Sequence, residues 1–125
     1  MNIFLDDWRV PIDCAKYMYR RSVDCRIYHQ PWVIVRTYGD FVRKVNEQLP
    51  TMVSLDYDLA DDNQVLEQSP LNDWFNNNEN RVYTGLDCLI YLLNKTTNVE
   101  IFYHTTNPSG LILLRDYERK IRENL

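Results

Sequence analysis

The side chains of this sequence best suited to chemistry on a phosphate ester come in four short groups. They are Asp6, Asp7 and Arg9 in DDWR, Arg36 after WVIV, Asp56 and Asp58 in LDYD, and His104, Thr105 and Asn107 in HTTN. Carboxylates gathered in one place repel one another and raise each other's pKa unless a cation neutralises them. A hard divalent ion with oxygen ligands, Mg²⁺ or Mn²⁺, suits such a cluster. Such an ion binds phosphate and stabilises the charge that develops on it. Arg9 or Arg36 suits a bidentate clamp on the same group, and His104 suits proton transfer.

These groups can meet only if the fold brings them together. Each of them follows a short apolar run rich in β-formers: NIFL before Asp6, WVIV before Arg36, TMVSL before Asp56 and VEIFY before His104. Runs of this kind are typical of buried parallel strands. Between them, Tyr38, Phe41, Val42, Val45 and Leu49 fall on one helical face, as do Leu86, Leu89, Ile90 and Leu93. A last helix is expected to start in TNPSG, capped by Thr106 or Asn107 with Pro108 in its first turn, and to continue through Leu114, Tyr117 and Ile121. A less regular helix is expected over residues 13–21. Alternating strands and helices imply a parallel sheet. All its strands then end on one rim, where open α/β sheets bind ligands.

The composition agrees with a globular protein. The chain has 125 residues, 45% hydrophobic and 26% charged, and reads as one domain over 1–125. A net charge of −4 argues against a broad grip on duplex DNA or RNA. The three cysteines, Cys14, Cys25 and Cys88, have neither disulfide-framework nor zinc-site spacing, which suggests reduced thiols in a cytoplasmic setting. No leader-like or membrane-spanning segment is apparent, so no membrane partner is expected. Residues 59–83 form a polar, asparagine-rich insert that suits either a lid over the site or a variable surface loop.

Each candidate also has a plainer reading. Aspartates after strands often serve as turn residues or caps, the expected role for Asp61 and Asp62. Arg36 could close a salt bridge and Asp58 could cap the loop. His29 is expected at the surface and Cys88 in the core.

Taken in order, IFLDDWRVP, WVIVRTYGDF, VSLDYDLAD, TGLDCLIYLL and HTTNPSG span nearly the whole chain. In this it resembles the cyclic-phosphate processing receiver-like domain, a compact bacterial and phage relative of the response-regulator receiver. The resemblance implies a flavodoxin-like three-layer sandwich with strand order 2-1-3-4, lacking the fifth receiver strand. It aligns Asp6 and Asp7 with the acidic pair that holds Mg²⁺ in receivers, and Asp56 with their phosphoacceptor. Asp58 completes the family's D-x-D, and Arg9, Arg36, His104 and Asn107 match further motif positions. No lysine corresponds to that of the receiver's fifth strand, which disfavours phosphoryl relay through Asp56. Thr105 keeps the hydroxyl of the serine usual there, and Leu86 replaces a common aromatic.

The expected function is therefore a metal-dependent phosphoesterase acting on a cyclic phosphate of a nucleotide or RNA end. Asp6, Asp7 and Asp56 would hold Mg²⁺ or Mn²⁺. Asp58 and His104 would be catalytic, while Arg9, Arg36, Thr105 and Asn107 would bind substrate. The alternatives are a receiver-derived module that binds a nucleotide signal or phosphorylated partner without turnover, and an interaction protein using Trp74 and Phe75.

Overall fold

The computed structural model describes residues 1–18, 25–59 and 83–125. Asp61, Asp62, Trp74, Phe75 and almost all of the insert lie outside them, as does the end of the helix expected over 13–21. The elements run β1 (Asn2–Leu5), α1 (Pro11–Met18), a 3₁₀ turn (Cys25–His29), β2 (Val33–Val35), α2 (Tyr38–Glu47), β3 (Met52–Leu55), α3 (Gly85–Lys95), β4 (Glu100–Tyr103) and α4 (Pro108–Glu123). The strands form one all-parallel sheet in the order β2-β1-β3-β4, the flavodoxin-like architecture expected from the sequence. Among the described residues no fifth strand occurs, and β4 stands at one end of the sheet.

Strand pleating sends alternate side chains to opposite faces. Ile3, Leu5, Val53 and Leu55 point into the larger core, where α2 contributes Phe41 and Val42, α3 contributes Cys88, Leu89 and Leu92, and α4 contributes Leu114. Burying each large aliphatic side chain here stabilises the fold by roughly 1.5–3 kcal/mol. On the other face, Phe4 packs with Cys14 of α1 and Tyr28 of the 3₁₀ turn. As edge strands, β2 and β4 are less buried: Ile34 is 40% exposed and Ile101 to Tyr103 are half-buried.

The helices begin where their sequences provide caps. Thr37 accepts from the Asp40 N–H before α2, and Asn107 accepts from the Gly110 N–H before α4, with Pro108 opening that helix. Thr84 and Asp87 form a reciprocal capping box at α3. Most of the expected apolar stripes are buried, with two differences. Leu49 lies beyond the end of α2 and is half exposed. In α3 the buried arc centres on Cys88, Leu89 and Leu92, while Leu86 and Ile90 lie at its margins, because α3 packs between α2 and α4. No helix among the described residues is long and apolar enough to cross a membrane.

Candidate functional site

The site follows from strand register. Phe4, Ser54 and Phe102 are paired across β1, β3 and β4. Two residues further along each strand come Asp6, Asp56 and His104. The parallel ladder continues that far: the Asp56 N–H donates to Leu5 O at 3.0 Å and the His104 N–H to Leu55 O at 3.1 Å. Period-two alternation therefore puts Asp6, Asp56 and His104 on one side of the rim. A carboxylate oxygen of each aspartate and an imidazole nitrogen lie within 4.8 Å of one another, and all three residues are buried.

Arg9 bridges the two carboxylates. Its Nε donates to Asp6 Oδ2 at 2.8 Å and its Nη2 to Asp56 Oδ2 at 3.2 Å, and the whole residue is only 7% exposed. The other Asp6 oxygen, Oδ1, accepts from the backbone N–H groups of Trp8 and Arg9 at 3.0 and 2.9 Å. Asp6 thus holds its own loop in a tight turn. Arg36 closes that loop from outside, with Nη1 donating to the carbonyls of Asp6 and Arg9 at 3.2 and 2.6 Å.

Buried among these groups, the acids diverge. Burial pushes Asp6 up, but the hydrogen bonds from His104 and from the Arg9 and Trp8 backbone prevail and hold it well below the usual carboxylate range. Asp56 is pushed up by burial and by the Asp6 charge, against His104, the Tyr57 N–H and Arg9. Burial pushes His104 down, more strongly than its hydrogen bond to Asp6 lifts it. The contact of 3.0 Å between His104 Nε2 and Asp6 Oδ2 is therefore the hydrogen bond of a neutral imidazole to a carboxylate.

The remaining candidates sit around this centre. Asp7 is half-buried at the rim, and its carboxyl is raised by burial and then by the charges of Asp6 and Asp56. It is not one of the three residues whose ligand atoms converge. Asp58 is exposed and accepts from Asn107 Nδ2 at 3.2 Å, which ties the β3 loop to the start of α4. Thr105 is buried, and its Oγ1 accepts from the Asn107 N–H at 3.1 Å. His29 is exposed and Cys88 is fully buried, as the sequence suggested.

Two glycines let the surrounding helices close on the Asp56 loop. A Cβ on Gly85 would stand 1.8 Å from the Asp56 carbonyl oxygen, and one on Gly110 would stand 2.4 Å from the Tyr57 ring. Only glycine permits so close an approach. The Gly85 N–H also donates to Tyr57 O at 2.8 Å. The α3 start therefore packs directly on the site.

Sequence reasoning overlooked Ser54 and Tyr28. Ser54 Oγ lies 2.7 Å from His104 Nδ1 and 3.0 Å from Tyr28 Oη. A hydroxyl inside the strand MVSL was the available signal, because a buried polar side chain needs a partner.

The donor set can take a divalent ion. Two carboxylate oxygens and one imidazole nitrogen converge, and Asp7 stands at the rim beside them. Both nitrogens of His104 are engaged, Nε2 with Asp6 and Nδ1 with Ser54, so the carboxylates are the donors that Mg²⁺ or Mn²⁺ would meet. Comparisons with curated proteins and with solved structures found no match. The sequence profile of the cyclic-phosphate processing receiver domain matches residues 1–119, and the chain belongs to that family.

Proposed function

We propose that this chain is a metal-dependent phosphoesterase that opens a cyclic phosphate on a nucleotide or an RNA end, with Mg²⁺ or Mn²⁺ as its ion. The observation that carries this reading is the convergence of Asp6, Asp56 and His104 at the carboxyl rim of a chain whose family is named for cyclic-phosphate processing. In the reaction, water adds to phosphorus, one ring P–O bond breaks, and the leaving oxygen takes up a proton. The product is a phosphomonoester beside a free hydroxyl.

Asp6, Asp7 and Asp56 would hold the ion, with His104 hydrogen-bonded to Asp6 behind them. When bound, the ion supplies positive charge to the phosphoryl oxygens. Arg9 then exchanges its carboxylates for the phosphate, which its forked guanidinium can meet through two donors. Arg36 keeps the 6–9 loop closed. Asp58, exposed and tied to Asn107, orients the attacking water, while His104 adjusts the proton load of the site through Asp6. Trp8, 71% exposed beside Arg9, offers a flat apolar surface at the mouth that suits a nucleobase.

The test is incubation with 2′,3′-cyclic nucleotides and cyclic-phosphate RNA ends plus Mg²⁺ or Mn²⁺, followed by ³¹P NMR. A ring-opened product lost in Asp56→Asn supports the proposal. Unchanged substrates across the panel, with ion binding established separately, would count against it. One observation bears on the second reading, a binding module without turnover: Arg9 pairs with both Asp6 and Asp56, so the acids are neutralised without an ion. Recovery of intact ligand from a tight complex would select that reading.

A further inference from the structure

The buried polar chain beneath the site has a direction. Asp6 pairs with the Arg9 guanidinium and accepts two backbone N–H groups, so it is the acceptor here and the proton at the contact of 3.0 Å belongs to His104 Nε2. A neutral imidazole protonated at Nε2 presents a bare, accepting Nδ1. Ser54 must then donate its hydroxyl to Nδ1 across 2.7 Å, which leaves the Ser54 oxygen to accept from Tyr28 Oη at 3.0 Å. The order Tyr28, Ser54, His104, Asp6 is thus fixed from its anionic end.

The surroundings hold the ring as well as the proton. Phe4 stacks on His104 with centroids 4.4 Å apart and planes inclined by 5°, and Tyr28 meets it edge-on at 6.5 Å. Trp32 stacks on Tyr28 at 5.9 Å and anchors itself by donating from Nε1 to Ile27 O at 3.0 Å. The 3₁₀ turn is thereby pinned where the Tyr28 hydroxyl reaches Ser54. His104 and Ser54 are both fully buried, so water cannot readily replace a lost member of the chain.

We propose that Ser54 and Tyr28 are positioning residues that fix His104 as its Nε2–H tautomer and aim that proton at Asp6. They touch no reacting atom and act only through the imidazole. The proposal rests on the phosphoesterase reading only in taking Asp6 and His104 as part of the site. Serine is required at this point because its hydroxyl donates and accepts at once, and threonine is the one other aliphatic residue that can do both.

The test is ¹⁵N NMR of the His104 ring in the ion-free protein at neutral pH, in wild type, Ser54→Ala, Ser54→Thr and Tyr28→Phe. Wild type should show the Nε2–H tautomer. Ser54→Ala should shift the tautomer ratio by roughly tenfold, the factor associated with one hydrogen bond of ordinary net strength. Ser54→Thr should restore it, and Tyr28→Phe, which keeps the ring and loses only Oη, should move the Nδ1 resonance in the same sense as Ser54→Ala. If Ser54→Ala does not fold, Tyr28→Phe and Ser54→Thr carry the test. An Nδ1–H tautomer in wild type, or Nδ1 resonances indifferent to both hydroxyls, overturns the proposal. The spectra are read without substrate, so inactivity toward cyclic phosphates would refute the phosphoesterase reading and leave this one standing.

Discussion

Replacing Arg9 with methionine keeps much of the side-chain volume and removes the charge that bridges Asp6 and Asp56. Each contact is a charge-assisted hydrogen bond at 2.8 or 3.2 Å, and the arginine side chain is 9% exposed, so solvent screens it little. At an effective dielectric of about 20, a pair of charges 4 Å apart attract by about 4 kcal/mol, much of which offsets desolvation. Removing one partner of a buried pair typically costs about 3–5 kcal/mol, because the other charge is left uncompensated. Asp56, already raised by burial and Asp6, would take up a proton and limit the loss to that range. Arg9→Met should therefore lose about 3–5 kcal/mol at pH 7 in urea melts with chelator present. At about 4 °C per kcal/mol, the melting temperature should fall by roughly 12–20 °C. Millimolar Mn²⁺ should return part of this loss, since a cation that binds only the folded state stabilises it. Arg9→Lys should fall between, because one ammonium cannot fork across both acids. A loss below about 1 kcal/mol, or no response to Mn²⁺ beyond that of wild type, would refute the reasoning.

Two further outcomes follow from the same neighbourhood. Gly85→Ala would drive a Cβ into the Asp56 carbonyl and should cost about 1–3 kcal/mol or more in urea melts, with chemical-shift changes centred on Asp56 and Tyr57; a neutral substitution would mean that α3 does not rest on that loop. The pH profile combines opposing groups. His104, with its lowered pKa, loses stability as pH falls below 6.5, because only the unfolded chain takes up its proton, at up to about 1.4 kcal/mol per pH unit. Raised Asp56 and Asp7 act the other way, since the folded chain binds their protons first as pH falls toward 4. Asp6, with its lowered pKa, stabilises at neutral pH and loses that contribution only below about pH 4. Wild-type stability should thus be shallow from pH 6.5 to 4 and steep below. Asp56→Asn removes one opposing group and should slope downward already from 6.5, and parallel curves from urea midpoints would contradict these assignments.

Much of this architecture was legible because each level of the sequence agreed with the next. Four apolar runs ending in polar residues gave the strands and the rim, and Asn107-Pro108 gave the start of α4. The grouping within the rim was harder to read. The sequence placed Asp6 with Asp7 and Asp56 as ligands, whereas the converging atoms belong to Asp6, Asp56 and His104. The adjacent Asp6 and Asp7 differ because strand alternation continues past β1: Asp6 is buried toward Asp56, while Asp7 is half-buried at the rim. Arg36 looked like a phosphate clamp, but its described bonds go to backbone carbonyls, and a sequence cannot distinguish these two uses of a guanidinium. Ser54 and Tyr28 escaped because their partnership spans 26 residues and crosses from a strand to a short 3₁₀ turn.

The common register of β1, β3 and β4 has a consequence for how this chain can change over time. Asp6, Asp56 and His104 stand level because each lies two residues past an aligned trio, Phe4, Ser54 and Phe102. Counting along strands, rather than the length of any connection, sets their spacing. Insertions between Leu59 and Tyr83 leave that count untouched, so a change of length there does not alter the spacing of the three residues. Deleting a single residue inside MVSL would instead turn Asp56 away from its two partners. A change of length within the twelve residues of β1, β3 and β4 breaks that spacing, whereas one in the connection after Asp58 does not.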